Sequence, residues 1–390
     1  MPRVDCVRGT PVVRSARVLQ LEGLFDVPPT ERSEERWTAD VPLEDRAWAI
    51  GAIVGPSGAG KSTIARELFG AAVVTGHDWS PERSVVDGFP AGMGIKEITG
   101  LLSSVGFSSP PAWLRPFAVL STGQQFRVTL ARALAESTEQ VFVVDEFTSV
   151  VDRTVAQVGS AAIAKAVRRL RKRFVAVTFH YDVLDWLQPD WVFEPHTGRF
   201  HWRELQRRPA IELVISRCGT EAWALFRGHH YLSADLNHSA RCFLATWRDQ
   251  PVAFTAVLPS IGFKGIWREH RTVCLPDFQG VGIGNAVSVT VAALAAAATG
   301  ARYRSVTSHP AFIRARAASA EWRLAAAGSR SAKGGTMQKT GGRQRLAASF
   351  EYRGAPYPDA AAARALWAES LGGSKSNPMT QTRVDAVRVG

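Results

Sequence analysis

Cysteine is scarce in this 390-residue chain, and the four that occur (Cys6, Cys218, Cys242 and Cys274) lie far apart. No two of them form a Cys-x-x-Cys pair or have the spacing of metal ligands. The pattern therefore favours reduced core thiols of an intracellular protein over a disulfide scaffold or a zinc site.

Long apolar runs are also lacking. The N-terminal segment MPRVDCVRGTPVVRSARV has no apolar core of the kind found in signal peptides. The longest apolar run, at about 286–298, is too short to span a bilayer and contains Ser288 and Thr290. We therefore expect a cytoplasmic protein with no membrane partner.

Acidic residues are outnumbered, 35 against 47 basic residues, which gives a net charge of +12. Such a charge indicates a polyanionic partner such as nucleic acid, while acidic lipid headgroups and simple solubility are alternatives. Hydrophobic residues make up 46% of the chain, a normal globular balance, and its length suits two domains.

The hydrophobic pattern predicts an α/β fold in the first half. Alternation over 12–50 predicts antiparallel strands, and the apolar run 47–55 predicts a buried strand followed by a helix from residue 61. Helices and strands then alternate up to residue 180, which is typical of a mostly parallel sheet covered by helices.

Beyond residue 205 the pattern changes to antiparallel pairs, such as the one that turns at Asp249-Gln250-Pro251. We therefore predict a domain over 1–205, an α+β domain over 206–370 and a flexible tail over 371–390. A second flexible segment is predicted at 327–344.

The segment GPSGAGKST fits the pattern Gly-x4-Gly-Lys-Ser/Thr between a predicted strand and a predicted helix. In such a P-loop, glycines let backbone N–H groups close around phosphates. Lys61 would neutralise the β- and γ-phosphates of ATP, and Ser62 would bind Mg²⁺. A chance glycine-rich turn is the alternative. The predicted nucleotide-binding residues here are Gly55, Pro56, Ser57, Gly58, Ala59, Gly60, Lys61, Ser62 and Thr63.

Three further motifs follow in order. LSTGQQFRVTLARAL resembles the signature helix of ABC ATPases, although Thr122 replaces the usual glycine. VFVVDEFTSVVDR resembles their Walker B strand and D-loop, and the strand FVAVTF ends at His180, as a switch histidine would. The resemblance implies a Mg²⁺ ligand at Asp145, a catalytic carboxylate at Glu146 and contact of His180 with the γ-phosphate.

The same resemblance implies an ATP-dependent homodimer. In this family the signature residues contact the nucleotide bound by the opposite subunit; here they are Ser121, Thr122, Gly123 and Gln124. The segment between Lys61 and Ser121 is shorter than usual and contains no glutamine, so the Q-loop is missing; Asp87 stands near its place. The missing length falls in the helical subdomain that docks onto membrane domains of transporters, which argues against transport.

In the second half, RTVCLPDFQGVGIGNAVSVTVAAL resembles motif A of the GNAT N-acetyltransferases: a strand, then [QR]-x-x-G-x-[GA], then a helix. The backbone amides at such a helix N-terminus would bind the pyrophosphate of acetyl-CoA or another acyl-CoA. An ordinary surface turn is the alternative. The predicted acyl-CoA residues are Gln279, Gly280, Val281, Gly282, Ile283 and Gly284.

His230 and Tyr231 are the predicted catalytic pair beside the acyl donor, since histidine titrates near neutrality and a tyrosine hydroxyl can protonate a leaving thiolate. A partly buried structural pair is the alternative, and His309 is a second candidate.

The stretch 322–350 has no acidic residue but carries six basic ones: Arg323, Arg330, Lys333, Lys339, Arg343 and Arg345.

The order of the two domains and the segment FRGHHYLSADLNHSARCFLAT resemble two related groups. One is the ABC-type ATPases fused to a GNAT-like acetyltransferase, a resemblance that covers nearly the whole chain. The other is the phage Mom-type enzymes that modify DNA adenine, a resemblance that covers about residues 210–355. The expected function is ATP hydrolysis coupled to acyl transfer onto nucleic acid. Two alternatives stay open: a nucleotide-binding subunit of an ABC transporter, and an ATP-driven nucleic-acid clamp with an inactive GNAT-like module.

Overall fold

The computed structural model describes residues 3–25, 27–74, 76–137, 141–204, 208–230, 235–330, 345–368 and 383–389. The chain divides into two compact units, and each is built from separate stretches of sequence. The first combines Met1–His77, Ser137–Val150 and Ala166–Gln206, and the second combines Asp78–Glu136, Val151–Lys165 and Arg207–Gly390.

The helices and strands alternate through the first two hundred residues. In chain order they are β1 (Arg3–Pro11), α1 (Ala16–Phe25), β2 (Arg32–Asp40), β3 (Ile50–Val54), α2 (Lys61–Phe69), β4 (Val73–Val74), α3 (Ile95–Ser104), α4 (Pro110–Trp113), α5 (Thr122–Glu136), β5 (Val141–Val144), α6 (Arg153–Leu170), β6 (Arg173–Thr178), α7 (Val183–Leu187), β7 (Trp191–Glu194) and β8 (Arg199–Trp202).

Strands dominate the remainder of the chain. They and their helices are β9 (Ile211–Cys218), β10 (Arg241–Trp247), β11 (Gln250–Pro259), β12 (Ile266–Cys274), α8 (Ile283–Thr299), β13 (Arg302–Thr307), α9 (Pro310–Ala317), β14 (Trp322–Arg330), β15 (Arg345–Tyr352), α10 (Ala360–Ala368) and β16 (Arg383–Val389).

The first unit contains a six-stranded sheet in the order β4-β5-β6-β3-β7-β8. All its strands pair in parallel except β8, which is antiparallel to β7. The segments IGAIV of β3 and FVAVT within β6 are buried along their whole length, as strands covered on both faces must be. The predicted parallel sheet is therefore confirmed for the first half of the chain.

The N-terminal prediction was wrong in part. The antiparallel pair is β1 with β2, registered from Arg3 opposite Asp40 to Pro11 opposite Arg32. Residues 16–25, predicted as a strand, form α1 instead, and none of its residues is buried. Its leucines fit the two-residue spacing of a strand as well as the three-residue spacing of a helix. Because the segment has no buried face, its apolar alternation does not indicate a paired strand.

The second unit contains an eight-stranded sheet in the order β14-β15-β13-β12-β11-β10-β9-β16. Its neighbouring strands are antiparallel except β12 and β13, which pair in parallel and are joined by α8. The α8 helix is apolar along almost its full length, and Val287, Val291 and Leu294 are fully buried in the main core of this unit. The predicted α+β pattern after residue 206 is confirmed at this level.

Two segments of the first half belong to the second unit: residues 78–136, with α3, α4 and α5, and residues 151–165, which include most of α6. The predicted boundary near residue 205 coincides with a division between the units, but the sequence pattern does not reveal these two earlier divisions. The structure also places 383–389, part of the tail expected to be flexible, in β16 against β9. The valine-rich segment RVDAVRV favours a strand.

The predicted flexible segment 327–344 overlaps the end of β14, which runs to Arg330, while 331–344 lie outside the described residues. Among the described residues, no helix is long and apolar enough to cross a membrane.

Candidate functional site

The P-loop follows β3 directly and precedes α2. Gly58 and Gly60 have φ values of 81° and 77°, in the left-handed region that glycine adopts without strain. A side chain at Gly60 would overlap the Trp37 ring of β2, because a Cβ there would lie 2.3 Å from it. The loop therefore needs Gly60 both for its backbone conformation and for its packing against Trp37.

Lys61 opens α2 and folds back over the loop, where its Nζ donates to the carbonyl of Pro56 at 2.7 Å. Burial lowers the pKa of the ammonium group, and the nearby Asp145 raises it in part. A lysine so placed lies where it can meet phosphate oxygens. Lys61 and Asp145, distant in sequence, are therefore brought together as the motifs predicted.

Asp145 and Glu146 follow β5 at the carboxyl edge of the sheet. The Glu146 amide donates to Asp145 Oδ1 at 2.9 Å, and Ser149 Oγ donates to the carbonyl of Glu146 at 2.7 Å. Glu146 has a φ of 51° and Thr148 a φ of 68°, conformations that cost non-glycine residues energy. The turn thus holds an exposed carboxylate in a fixed backbone frame at the end of a buried strand.

His180 lies two residues beyond the end of β6, where its amide donates to Thr178 Oγ1 at 3.1 Å. The sheet order puts β6 between β3 and β5, with Val54 opposite Thr178 and Val144 opposite Ala176. The P-loop, the Asp145-Glu146 pair and His180 therefore follow three neighbouring strands at one edge, the place where parallel α/β sheets bind ligands.

The residues fit ATP with Mg²⁺. Mg²⁺ takes one or two protein oxygens and completes its shell with phosphates and water, and Ser62 and Asp145 offer such a pair. Within the described part of the chain, no cluster of three or more His, Cys, Asp or Glu could hold a metal by itself.

The signature residues begin α5 in the second unit. Ser121 and Gln124 form a capping box: the Ser121 amide donates to Gln124 Oε1 at 3.1 Å, and the Gln124 amide donates to Ser121 Oγ at 3.4 Å. Thr122, the departure from the family pattern, is exposed at the first helical position, whereas Gly123 is buried. The exposed helix start is suited to an anion from outside the unit.

The loop between β12 and α8 holds the predicted acyl-CoA residues. Gly280 and Gly282 have φ values of 95° and 104°, and Gly282 precedes α8 without a capping side chain. The amide end of α8 therefore retains the character of an anion site. The Gln279 side chain does not face such an anion: its Oε1 accepts from the amide of Ser108 at 2.7 Å, and its Nε2 donates to the carbonyl of Cys274 at 2.8 Å.

The predicted histidines lie in different surroundings. His230 is buried with its ring 5.7 Å from that of Trp223, and Tyr231 lies outside the described residues. His309 is structural: Nδ1 accepts from the amide of Ala311 and Nε2 bonds to the carbonyl of Ser108 at 3.0 Å. Burial lowers the pKa of His309, and the bond to Ser108 raises it in part.

Sequence reasoning missed His229. Burial lowers the pKa of this imidazole, Asp277 raises it in part, and Arg115 lowers it further. His229 is therefore neutral at physiological pH and near the loop residue Asp277. The sequence contains only a weak signal for this residue. His229 and His230 are adjacent, and the sequence does not show which of them lies near the loop that contains Asp277.

Burial raises the pKa of three cysteine thiols in this unit. Burial raises the pKa of Cys274 to about 12 and that of Cys242 to about 11. Burial also raises the pKa of Cys218 far above the physiological range. The three thiols are protonated at neutral pH. Cys242 is buried, as a core thiol would be, whereas Cys218 and Cys274 are partly buried.

The fold and edge site of the first unit define a P-loop nucleotide-binding site. No family model matches this chain. The chain is 32% identical over 161 residues to the zinc import ATP-binding protein ZnuC of Cereibacter sphaeroides, a match that covers 36% of this chain. It spans 63% of that protein, less than two thirds of its length.

Solved structures of ABC proteins are also similar. The dimeric structure of MJ0796, a bacterial ABC transporter cassette, has 17% identity and a TM-score of 0.35, covering 44% of this chain and 94% of that one. The structure of cbiO1 from Clostridium perfringens, part of the ABC transporter complex cbiONQ, has 20% identity and a TM-score of 0.32, covering 39% and 75%. The ZnuC relative and these two structures are ABC proteins, the class that the motifs of this chain resemble.

Proposed function

We propose that this protein is an ATP-hydrolysing ABC-type ATPase joined to a GNAT-like acyltransferase, and that it acts as an ATP-dependent homodimer. The shared edge of β3, β5 and β6 is the observation that carries the ATPase half. Lys61 would neutralise the phosphates, and Ser62 and Asp145 would hold Mg²⁺. Glu146 would polarise the attacking water, and His180 would contact the γ-phosphate.

The acyltransferase half is supported by the succession of elements around α8. The resemblance to GNAT proteins implies strand, glycine loop, helix, strand, helix and closing strand. β12, the 279–284 loop, α8, β13 and α9 follow that succession, and β14 then precedes β15, the proposed closing strand. The parallel pairing of β12 with β13 makes this a strand–helix–strand unit, whose loop lies at the amide end of the helix.

Acyl transfer here would be direct. The acceptor nitrogen would attack the thioester carbonyl of acetyl-CoA without a cysteine intermediate, since burial raises the pKa of Cys218, Cys242 and Cys274. The C–N bond would form, the C–S bond would break, and the departing thiolate would take a proton as the nitrogen loses one. His230 and Tyr231 are the proposed proton carriers, and neutral His229 near Asp277 is a further base for the acceptor.

A nucleic-acid acceptor is supported by a row of arginines across the second sheet. Arg268 pairs with Arg304, and Arg304 and Arg323 both lie opposite Glu351. The buried Glu351 carboxylate meets Arg304 at 3.8 Å, Arg323 at 3.4 Å and Arg353 at 3.0 Å. One carboxylate thus neutralises one of three arginines, and the surplus charge faces solvent, where phosphates could bind.

Isothermal titration calorimetry of the Glu146→Gln protein with acetyl-CoA tests the acyltransferase half. We expect binding, and its absence in a folded protein would leave the ATPase-driven clamp as the better function. Mass spectrometry of nucleosides from cells with and without the gene would then identify the acceptor. An acylated nucleoside confined to the gene-containing cells is the expected result.

A transporter subunit is the second candidate, since the ZnuC relative is a zinc import ATP-binding protein. It predicts copurification with a membrane protein from detergent-solubilised cells. The GNAT-like proposal predicts that the protein purifies from the soluble fraction without one. The short segment between Lys61 and Ser121 favours the GNAT-like proposal.

A further inference from the structure

Arg127, in the middle of α5, is a buried cation whose hydrogen-bond acceptors are backbone carbonyls. Its Nη1 donates to the carbonyls of Gly106 at 2.7 Å and Pro276 at 2.5 Å, and its Nη2 donates to that of Asp277 at 2.5 Å. The side chain is 1% exposed. Burial lowers its pKa to about 10, so the guanidinium stays charged at neutral pH. Arg127 of the signature helix α5 is therefore hydrogen-bonded to the loop that precedes α8.

A second set of contacts joins the same two segments. Gly106 and Gly280 touch through their backbones, because a Cβ on Gly280 would lie 2.6 Å from the Cα of Gly106. The bond from the Ser108 amide to Gln279 Oε1 adds a specific polar contact. We call the contacts of Gly106, Ser108 and Arg127 with residues 276–280 the seam. Close packing and directed hydrogen bonds leave the seam little freedom to slide.

The seam reaches the first turn of α5. A Cβ on Gly123 would lie 3.2 Å from Asp277 Oδ1, so this signature glycine lies against the side chain of a loop residue. Only one helical turn separates Gly123 from Arg127. Any shift of the start of α5 would therefore displace the backbone of residues 276–280 through its contacts with Gly123 and Arg127.

We propose that Arg127 is a positioning residue that couples the nucleotide state at the signature motif to the conformation of the 276–284 loop. The inference rests on the proposed function, in which the signature meets ATP held by the second subunit and the loop binds acyl-CoA. A phosphate contact at Ser121–Gln124 pulls on α5, and Arg127 carries that displacement to the carbonyls of Pro276 and Asp277. Their amide neighbours at the start of α8 are repositioned as a result.

Such coupling is reciprocal, since two ligands that share one conformational equilibrium change each other's affinity by the same factor. ATP should change the Kd for acetyl-CoA by about tenfold in the Glu146→Gln protein, within the range usual for allosteric coupling. Acetyl-CoA should change the Kd for ATP equally. Adding Arg127→Gln should bring both ratios close to one.

Hydrogen–deuterium exchange tests the coupling without any acyl donor. In Glu146→Gln, saturating ATP with Mg²⁺ should protect the P-loop and also change exchange in peptides covering 276–284. Arg127→Gln in that background should keep P-loop protection and lose the response of the loop. Arg132→Gln is the matched control on the same helix, because Arg132 bonds to Glu136 and to the carbonyl of Asp78 instead.

The outcomes separate the two proposals. P-loop protection with an unchanged 276–284 loop would overturn the coupling and leave ATP binding intact. A loop that responds to ATP through Arg127 in a protein that binds no acetyl-CoA would uphold the coupling and remove the acyl-CoA assignment. An equal loss of loop response in Arg132→Gln would reduce Arg127 to a general structural role and overturn the inference.

Two milder variants keep the test decisive if Arg127→Gln fails to fold. Arg127→Lys retains the charge but cannot bond to Gly106, Pro276 and Asp277 together, so it should restore the loop response only in part. Gln279→Ala removes the bond to the Ser108 amide while Arg127 remains, and it too should weaken the response. A full response in both variants would overturn the inference.

Discussion

At the scale of the residue, two charged side chains at the shared edge of β3, β5 and β6 have different proposed roles. Lys61 lies over the P-loop, and Glu146 stands exposed after a buried strand. In the proposed function, Lys61 would bind phosphate charge that is present in the ground state, whereas Glu146 would act on a water molecule in the transition state. Substitutions should therefore separate binding from turnover.

We expect Lys61→Ala to weaken ATP binding by about 10- to 100-fold, because hydrogen bonds to charged groups contribute about 1.5–3 kcal/mol. Glu146→Gln should retain binding and lose hydrolysis by about 100- to 10,000-fold, the usual contribution of a general base. Fluorescent nucleotide titration and phosphate release measure the two effects. Turnover at the wild-type rate in Glu146→Gln would move the catalytic carboxylate elsewhere.

His270 makes stability depend on pH. Burial, Arg271 and Arg268 together lower its pKa from 6.5 to about 4, and its Nε2 accepts from the amide of Asn237 at 3.3 Å. The unfolded chain therefore takes up a proton below pH 6.5 that the folded protein takes up only near pH 4, so stability present above pH 6.5 is lost as pH falls.

Between pH 7 and pH 5 we expect protonation of His270 to lower the free energy of unfolding by about 1 kcal/mol. This figure is smaller than the full pKa shift would give, because the ring is partly solvated. His270→Gln should show a flatter pH dependence in urea denaturation. The exposed His201→Gln on β8 is the control, expected to follow the wild type. Identical slopes in His270→Gln and the wild type would contradict the prediction.

At the scale of the element, α8 is flanked at each end by a glycine in the left-handed backbone conformation: Gly282 with φ 104° and Gly300 with φ 66°. This symmetry supplies a matched pair of substitutions. Both Gly282→Glu and Gly300→Glu strain the backbone and add a carboxylate, but only the first places it where the loop would meet pyrophosphate.

Gly282→Glu should abolish detectable acetyl-CoA binding while ATPase activity persists, since the new carboxylate repels the anion and crowds the amides that would bind it. Gly300→Glu should keep the wild-type affinity. Calorimetry measures both, and a thermal melt checks that each variant is folded. Unchanged affinity in Gly282→Glu would place the acyl-CoA elsewhere.

Elements with strong local patterns could be predicted from the sequence. The helix from Lys61, the signature helix from Ser121 and the buried strand before Asp145 are present with bounds close to those expected. Failures arose where partners are remote. Nothing near Arg127 in sequence indicates that its acceptors are carbonyls of Pro276 and Asp277, and backbone acceptors leave no mark on residue type.

At the scale of the whole molecule, each chain has one P-loop and one signature motif. If both address the same nucleotide from different subunits, two chains must join to make two complete sites.

We expect Glu146→Gln with ATP and Mg²⁺ to elute at twice the monomer mass of 42.4 kDa, and to return to the monomer without nucleotide. Gel filtration with light scattering measures this. Ser121→Arg should bind ATP yet stay monomeric, because the bulky cation obstructs the exposed start of α5. A monomer at saturating ATP in the Glu146→Gln protein itself would rule out the paired arrangement.

The bond between Arg127 and Pro276 spans 149 positions of the chain. A ribosome adds about 5–20 residues per second, so the guanidinium of Arg127 is made roughly 10–30 s before its acceptors exist. During that interval residues 78–136 carry a cation and an apolar surface whose final partners are still unsynthesised, a state exposed to aggregation and to chaperones. A gene cut after residue 206 would make that interval permanent, and a C-terminal fragment beginning there would lack the helices against which its own loop packs.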